Sequence, residues 1–194
     1  MSDPRHYPVV VFVSGPAGSG KTTLSERLCR SLSLPFIDFD SICEPFLGVL
    51  QEKDGVAIRD STFTRQYREV CYAAFFDVVF ENVEMGLNVL ATAPLSSELE
   101  ETGFFPRIKQ HYGVDFISFD AYIDISEEDL LCNIKARGSE RDRQKLSNWD
   151  DFFMQSKNQR RQWSPDHSMC VRYRAGDFDE EDCSFLEKAI RLQI

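Results

Sequence analysis

Eight consecutive residues near the start of the chain have the composition of a phosphate-binding loop. They match the pattern GxxxxGK[ST], and in order they are Gly15, Pro16, Ala17, Gly18, Ser19, Gly20, Lys21 and Thr22. Glycines allow successive backbone N–H groups to point into one concave anion site. Lys21 is then expected to reach the β- and γ-phosphates of a nucleotide, and the Thr22 hydroxyl to bind Mg²⁺, with the phosphate contacts continuing to Thr23. The pattern predicts a nucleotide-binding loop.

The sequence on either side of this loop supports that interpretation. Residues 9–13 form a continuous apolar run, as expected for a buried parallel strand. After the loop, Leu24, Leu28 and Leu32 repeat at helical spacing through residues 23–33. The loop therefore joins a strand to a helix, and the positive end of the helix dipole faces the bound phosphate.

Two carboxylates follow the next predicted strand. Residues 34–40 suggest a short strand with Asp38 and Asp40 at its C-terminal end. Side chains two positions apart project to the same face of a strand, and ligands bind beside this end of parallel sheets. A pair of solvated aspartates in a turn is the alternative. Beside a phosphate loop, roles in binding metal and substrate are favoured.

Two arginines near the start of a long helix are candidates for substrate binding. A helix over about 41–51 is followed by a turn and by one long or two broken helices over about 59–85. Arg65 and Arg68 lie where they could reach an anionic substrate, although a solvated helix face is the more common position for such side chains. Further strands are predicted within 87–94, 114–125 and 169–173.

A cluster of arginines suggests a mobile basic lid after the helix predicted at 129–136. Arg137, Arg141 and Arg143 fall within seven residues, beside a glycine at the helix end. The planar guanidinium group suits phosphate oxygens, and a closing lid would bring it to charge that develops during phosphoryl transfer. A solvated charged loop is the alternative. Helices are predicted at 148–163 and 180–192.

Composition limits the class of protein. The 194 residues suit a single α/β domain over 1–194, and 22 basic against 32 acidic residues give a net charge of −10. That balance argues against a broad nucleic-acid or anionic-membrane surface. The six cysteines are scattered without a CxxC pair, and no stretch reads as a signal region or membrane span. We therefore expect a cytoplasmic protein that does not act at a membrane.

Together these motifs resemble small-molecule kinases of the phosphate-loop class, the group that holds shikimate and gluconate kinases, chloramphenicol phosphotransferase, zeta-toxin-like kinases and many "AAA domain" proteins. The resemblance implies a three-layer α/β/α fold whose five-stranded parallel sheet has the order 2-3-1-4-5. It also implies a helical substrate region at about 41–85 and an arginine lid at about 137–147. By position, Asp38 matches the carboxylate that holds Mg²⁺ through water, Asp40 matches the one that takes the proton from the substrate hydroxyl, and Arg137 and Arg141 match lid residues that contact ATP.

The sequence departs from this pattern at the third strand. Residues 90–94 read Leu-Ala-Thr-Ala-Pro, without the terminal aspartate of a usual Walker B motif. Metal binding would then depend on Thr22, Asp38 and water. Shikimate kinases also carry a glycine-rich substrate loop here, and residues 93–95 stand in its place, which argues against shikimate as the acceptor.

The function that the resemblance implies is transfer of the γ-phosphate of MgATP to a hydroxyl of an unidentified small molecule, by a monomer or homodimer. One alternative is a kinase for nucleotides or nucleic-acid ends, and the acidic charge counts only against long polymers. Another is an ATP-binding or ATP-hydrolysing switch, which the missing Walker B carboxylate disfavours. A GTPase is least favoured, because residues 133–136 lack the aspartate that reads guanine.

Overall fold

One sheet organises the chain. The computed structural model describes residues 7–54, 61–139 and 142–194. The described strands are β1 (Val9–Ser14), β2 (Phe36–Asp38), β3 (Val89–Thr92), β4 (Ile117–Ile125), β5 (His167–Arg174) and β6 (Asp177–Phe178). Their order is β2-β3-β1-β4-β5-β6. The first five strands run parallel, and β6 pairs antiparallel with β5.

Helices connect and cover these strands. They are α1 (Lys21–Leu32), α2 (Phe39–Asp54), α3 (Ser61–Glu84), α4 (Phe104–Tyr112), α5 (Glu127–Arg137), α6 (Arg143–Ser147), α7 (Trp149–Asn158) and α8 (Glu180–Arg191), with a 3-10 turn at Glu98–Glu100. The expected α/β class and the order of the first five strands are confirmed. The expectation of five strands is wrong by one, because Ala175 and Gly176 adopt positive φ values and turn the chain back into β6.

The central strand β1 separates two apolar layers. All six of its residues are buried, as a strand covered on both faces requires. Val10 and Phe12 pack with α3, α4 and Trp163. Val11 and its neighbours on the opposite face pack with α1 and α8. The phosphate loop therefore leaves the most deeply buried strand of the sheet, which fixes where the loop begins.

Two predicted boundaries are corrected. Strand β2 ends at Asp38 and α2 begins at Phe39, so Asp40 lies in the first turn of a helix and not on a strand. The cause is local, because the Asp38 carboxylate accepts hydrogen bonds from the backbone N–H and the hydroxyl of Ser41, at 2.9 and 2.7 Å, and so caps the helix. Helix α7 ends at Asn158, because the following segment turns inward to bury Trp163.

Within the described ranges, the structure contains no helix that is both long and apolar enough to cross a bilayer. A single domain over 1–194 stays a prediction.

Stability should depend on the aromatic layer beneath β1. Phe104 is fully buried and meets the rings of Phe12, Phe76 and Trp163, with centroids 5.6–6.4 Å apart. We expect Phe104→Ala to lower the free energy of unfolding by about 3–5 kcal/mol, because the truncation leaves a cavity. Urea denaturation measures the change. The matched control Phe185→Ala removes a ring that is 53% exposed and should cost about 0.5 kcal/mol or less. Equal losses in the two variants would contradict this assignment of the core.

Candidate active site

The phosphate loop has a backbone that only glycine accommodates. Gly18 and Gly20 have φ values of +92° and +88°. A Cβ at Gly18 would lie 2.6 Å from Ile134 Cγ1 on α5, and one at Gly20 would lie 2.9 Å from Phe178 Cζ on β6. Both glycines therefore meet a φ requirement and a packing requirement at once. The loop packs closely against α5 and β6.

A cavity of about 510 Å³ opens in front of this loop. Nine of the sequence-predicted site residues line it. They are Ala17, Gly18, Gly20, Lys21, Thr22, Thr23, Asp38, Asp40 and Arg137. The remaining loop residues lie behind, where Gly15 and Pro16 border a separate cavity and Ser19 is fully buried. The structure thus brings most of the predicted phosphate, metal and acceptor residues together.

Side-chain oxygens that could bind a metal ion lie close together where this cavity meets a neighbouring cleft. Thr22, Asp38 and Asp40 also border an adjoining cleft of about 460 Å³, together with Ser41 and Glu44. Hydroxyl and carboxylate oxygens are the donors that Mg²⁺ prefers, and it is usually held by one or two of them together with substrate phosphates. Among the described residues, no group of three or more His, Cys, Asp or Glu side chains could hold a metal without such help. The donor set fits a magnesium ion bound together with phosphate.

Cations line the same cavity as well. Arg137, at the last residue of α5, and Lys145, on α6, both line the cavity. Both are bound to Asp142, whose carboxylate accepts from Arg137 Nε and Nη2 at 2.8 and 2.7 Å and from Lys145 Nζ at 2.7 Å. Burial disfavours the ionised form of Asp142, but these hydrogen bonds outweigh it and lower the pKa of the carboxyl.

The charge of Lys21 depends on the carboxylates and on the cations that line the cavity. Its ammonium donates to the carbonyl oxygens of Gly15 and Pro16, at 2.8 and 2.9 Å. Burial lowers the pKa of Lys21 to about 8, Asp40 opposes the decrease, and Lys145 and Arg137 add to it. A polyphosphate bound beside this ammonium would favour its charged form. Nucleotide binding should therefore change the proton occupancy of Lys21.

Polar and aromatic groups from β5 and β6 complete the cavity. Asn133 on α5 donates to the carbonyl oxygen of Gly18 at 3.1 Å and accepts from the Tyr173 hydroxyl at 3.2 Å. Tyr173 packs edge-on against Phe178, with ring centroids 4.9 Å apart. The three side chains connect the loop to the sheet. Asn133 lies four residues before Arg137, so it projects from the same face of α5.

A buried polar network supports the start of the loop from behind. Asp120 on β4 is 1% exposed and accepts from Ser14 Oγ at 2.7 Å, from Trp163 Nε1 at 3.3 Å and from the Arg161 guanidinium. Arg161 also donates to Ser14 Oγ at 3.1 Å and lies 4.4 Å above the Tyr122 ring. Burial raises the pKa of Asp120, and Arg161 opposes that rise. The network fixes the residue that immediately precedes Gly15.

One predicted substrate arginine lies elsewhere. Arg68 binds Glu98 at 2.8 Å and lies 4.1 Å above the ring of Tyr72, and it borders a different cavity, between α3 and α4. Glu98, on the 3-10 turn, was not recognisable from the sequence as its partner. Tyr72 itself accepts from the backbone N–H of Leu95 at 2.9 Å and so orders the loop after β3. The side chain of Arg65 and the whole of Arg141 lie outside the described residues.

Several residues of the site have only a weak signal in the sequence, or none. Lys145 and Asp142 carry a spacing signal, because residues three apart on a helical turn can interact. Asn133 on α5, Tyr173 on β5 and Phe178 on β6 carry no motif, since only the packing of these elements brings them together.

These features define a class of protein. A glycine-rich loop between a buried strand and a helix, in a cavity lined by carboxylates and cations, is typical of nucleotide-binding α/β proteins of the phosphate-loop type. The chain belongs to the AAA domain family (AAA_33), whose model matches residues 10–159. The resemblance to phosphate-loop kinases is thereby confirmed at the level of family and fold.

Individual relatives agree with this assignment. A shikimate kinase from Francisella tularensis subsp. novicida is 44% identical over 39 residues, a match that spans 20% of this chain and 22% of the relative. An inferred kinase from Chloroflexus aurantiacus J-10-fl superimposes with a TM-score of 0.70 at 16% identity, over 96% of this chain and 98% of that one. APS kinase from Mycobacterium tuberculosis, solved with AMPPNP and APS, gives a TM-score of 0.56 at 15% identity, over 98% of each chain. The structural matches show that the fold is shared with kinases.

Nucleotide binding should be linked to proton uptake by Lys21. Because burial lowers the pKa of Lys21 to about 8 and a bound polyphosphate would raise it, the protein should take up protons when it binds AMPPNP at about pH 8.5. Its affinity should fall as the pH rises from about 7 to 9. Calorimetry in two buffers of different ionisation enthalpy measures the uptake. Lys21→Arg is the control, since its guanidinium stays charged throughout. The same uptake in that variant would exclude Lys21 as the source.

Proposed function

We propose that this protein is an ATP-dependent kinase that transfers the γ-phosphate of MgATP to a hydroxyl group of a small molecule. The observation that carries the proposal is that Asp40 shares one cavity with Lys21 and Thr22 of the phosphate loop. A carboxylate in that position is what phosphoryl transfer to a hydroxyl needs, because such a group can orient the acceptor and receive its proton.

In the proposed reaction, the loop positions the nucleotide. Backbone N–H groups of residues 18–21 bind the phosphates, and the protonated Lys21 stabilises charge on the β- and γ-phosphates. Arg137 approaches the same cavity from the lid and adds positive charge. Thr22 and Asp38 are the residues that would hold Mg²⁺, which supplies further positive charge to the transferring phosphate.

The acceptor would enter from the carboxylate end. Asp40 accepts the hydroxyl proton while the oxygen attacks the γ-phosphorus in line, and ADP leaves toward the lid. Among the described residues, the side chains that border the cleft beside Asp40 include Asp38 and Glu44, whereas Arg68 is bound to Glu98 in another cavity. This arrangement favours a neutral or cationic acceptor, such as a polyol or an amino alcohol.

The test is ADP release with MgATP and pools of hydroxylated metabolites, including sugars, polyols, nucleosides, amino alcohols and aminoglycosides. One pool should raise the rate above the rate without acceptor, and Lys21→Ala should abolish that gain. Asp40→Asn should lower kcat with the identified acceptor by about 10²–10⁴-fold, the usual contribution of a positioned general base.

Asp150→Asn is the matched control, because it makes the same chemical change at an exposed position on α7. It should leave the rate unchanged. If every pool matches the rate without acceptor, the small-molecule proposal fails. Nucleic-acid ends and protein partners would then be the acceptors to test.

A further inference from the structure

Two of the cations that line the cavity belong to a compact ionic cluster, which we define as Arg137, Asp142 and Lys145. Its three members come from the end of α5, the segment between the helices and α6. Asp142 is 1% exposed, whereas the side chains of Arg137 and Lys145 are 33% and 19% exposed. The carboxylate is therefore covered by the two cations, which form the surface of the cluster toward the cavity.

The geometry of Asp142 is that of a group that positions others. Both of its oxygens accept hydrogen bonds, and the three bonds are 2.7–2.8 Å long, which is typical of charge-assisted pairs. Its burial means that the guanidinium and the ammonium are held at defined positions and do not move independently in solvent. One carboxylate between two cations also leaves these three side chains with a net positive charge.

We propose that Lys145 binds the terminal phosphates of the nucleotide together with Arg137, and that Asp142 is the positioning residue that holds the two cations in place for it. The inference rests on the proposed nucleotide site but not on phosphoryl transfer. Lys145 and Arg137 border the same cavity as Lys21, so a polyphosphate held by the loop would lie in the cavity that the cluster also lines. A positively charged cluster is complementary to that anion.

Asp142 could affect phosphate binding in two ways, and these predict opposite changes in nucleotide affinity when its charge is removed. If it only competes with phosphate for the cations, its removal adds positive charge to the cavity and strengthens nucleotide binding. If it positions the cations, its removal leaves two like charges side by side without their shared partner, and binding weakens although the net charge has become more favourable. The burial of Asp142 and the hydrogen bonds that both of its carboxylate oxygens accept favour the second result, a loss of affinity.

Equilibrium binding of AMP and MgAMPPNP distinguishes these possibilities without needing an acceptor. Lys145→Gln should weaken AMPPNP binding by about 10- to 100-fold, the loss expected for a hydrogen bond to a charged group, and should change AMP binding by no more than about twofold. Lys145→Arg should restore most of the affinity. Lys188→Gln, an exposed lysine on α8, is the matched control and should bind both nucleotides normally.

Asp142→Asn should also weaken AMPPNP binding selectively, and unchanged AMP binding shows that the variant is folded. An increase in AMPPNP affinity would overturn the positioning role. A Lys145→Gln variant that binds AMPPNP normally, or that loses AMP and AMPPNP equally, would overturn the phosphate contact, and this result stands even if Asp142→Asn does not fold. Failure to find an acceptor would reject the kinase proposal while leaving these binding results intact.

Discussion

The structure depends on one constraint, which is that a loop of backbone N–H groups must be held open around an anion at the end of a buried strand. The loop cannot keep that shape by itself, because its glycines adopt conformations that disfavour other residues and that cost entropy to fix. Gly18 therefore packs on Ile134, Gly20 packs on Phe178, and Ser14 is bound to Asp120. Three elements distant in sequence, α5, β6 and β4, each contribute one support.

Charges of both signs line the cavity. The carboxylates come from β2 and α2, and the cations come from the phosphate loop, the end of α5 and α6. The pKa of Lys21 responds to both signs, because Asp40 raises it and Lys145 and Arg137 lower it. A chain with a net charge of −10 can therefore still contain a local site suited to an anion, since several of its positive charges line one cavity.

The sequence predicted most of the fold. Of the residues that line the cavity, it predicted those of the phosphate loop, Asp38, Asp40 and Arg137. A contiguous motif such as residues 15–22 carries its own geometry, and the order of the parallel strands followed from resemblance. The errors have local physical causes. The alternation of residues 34–40 predicts Asp40 on a strand, whereas the Asp38 carboxylate caps a helix that begins at Phe39. The ion pair of Arg68 with Glu98 joins elements whose packing no spacing rule reveals. A cluster of arginines predicts a basic segment, but it does not reveal that Lys145 brings the same charge to the cavity.

The anchors on either side of the segment 137–147 have an architectural consequence. Before it, α5 is fixed to the phosphate loop through Asn133; after it, Arg161 and Trp163 are fixed to Asp120 in the sheet. Neither the phosphate loop nor the sheet determines how many residues join these two anchors. Closing a loop twice as long costs only about 0.6 kcal/mol more. Segments of different length and sequence can therefore connect the same two anchors without any change in the sheet.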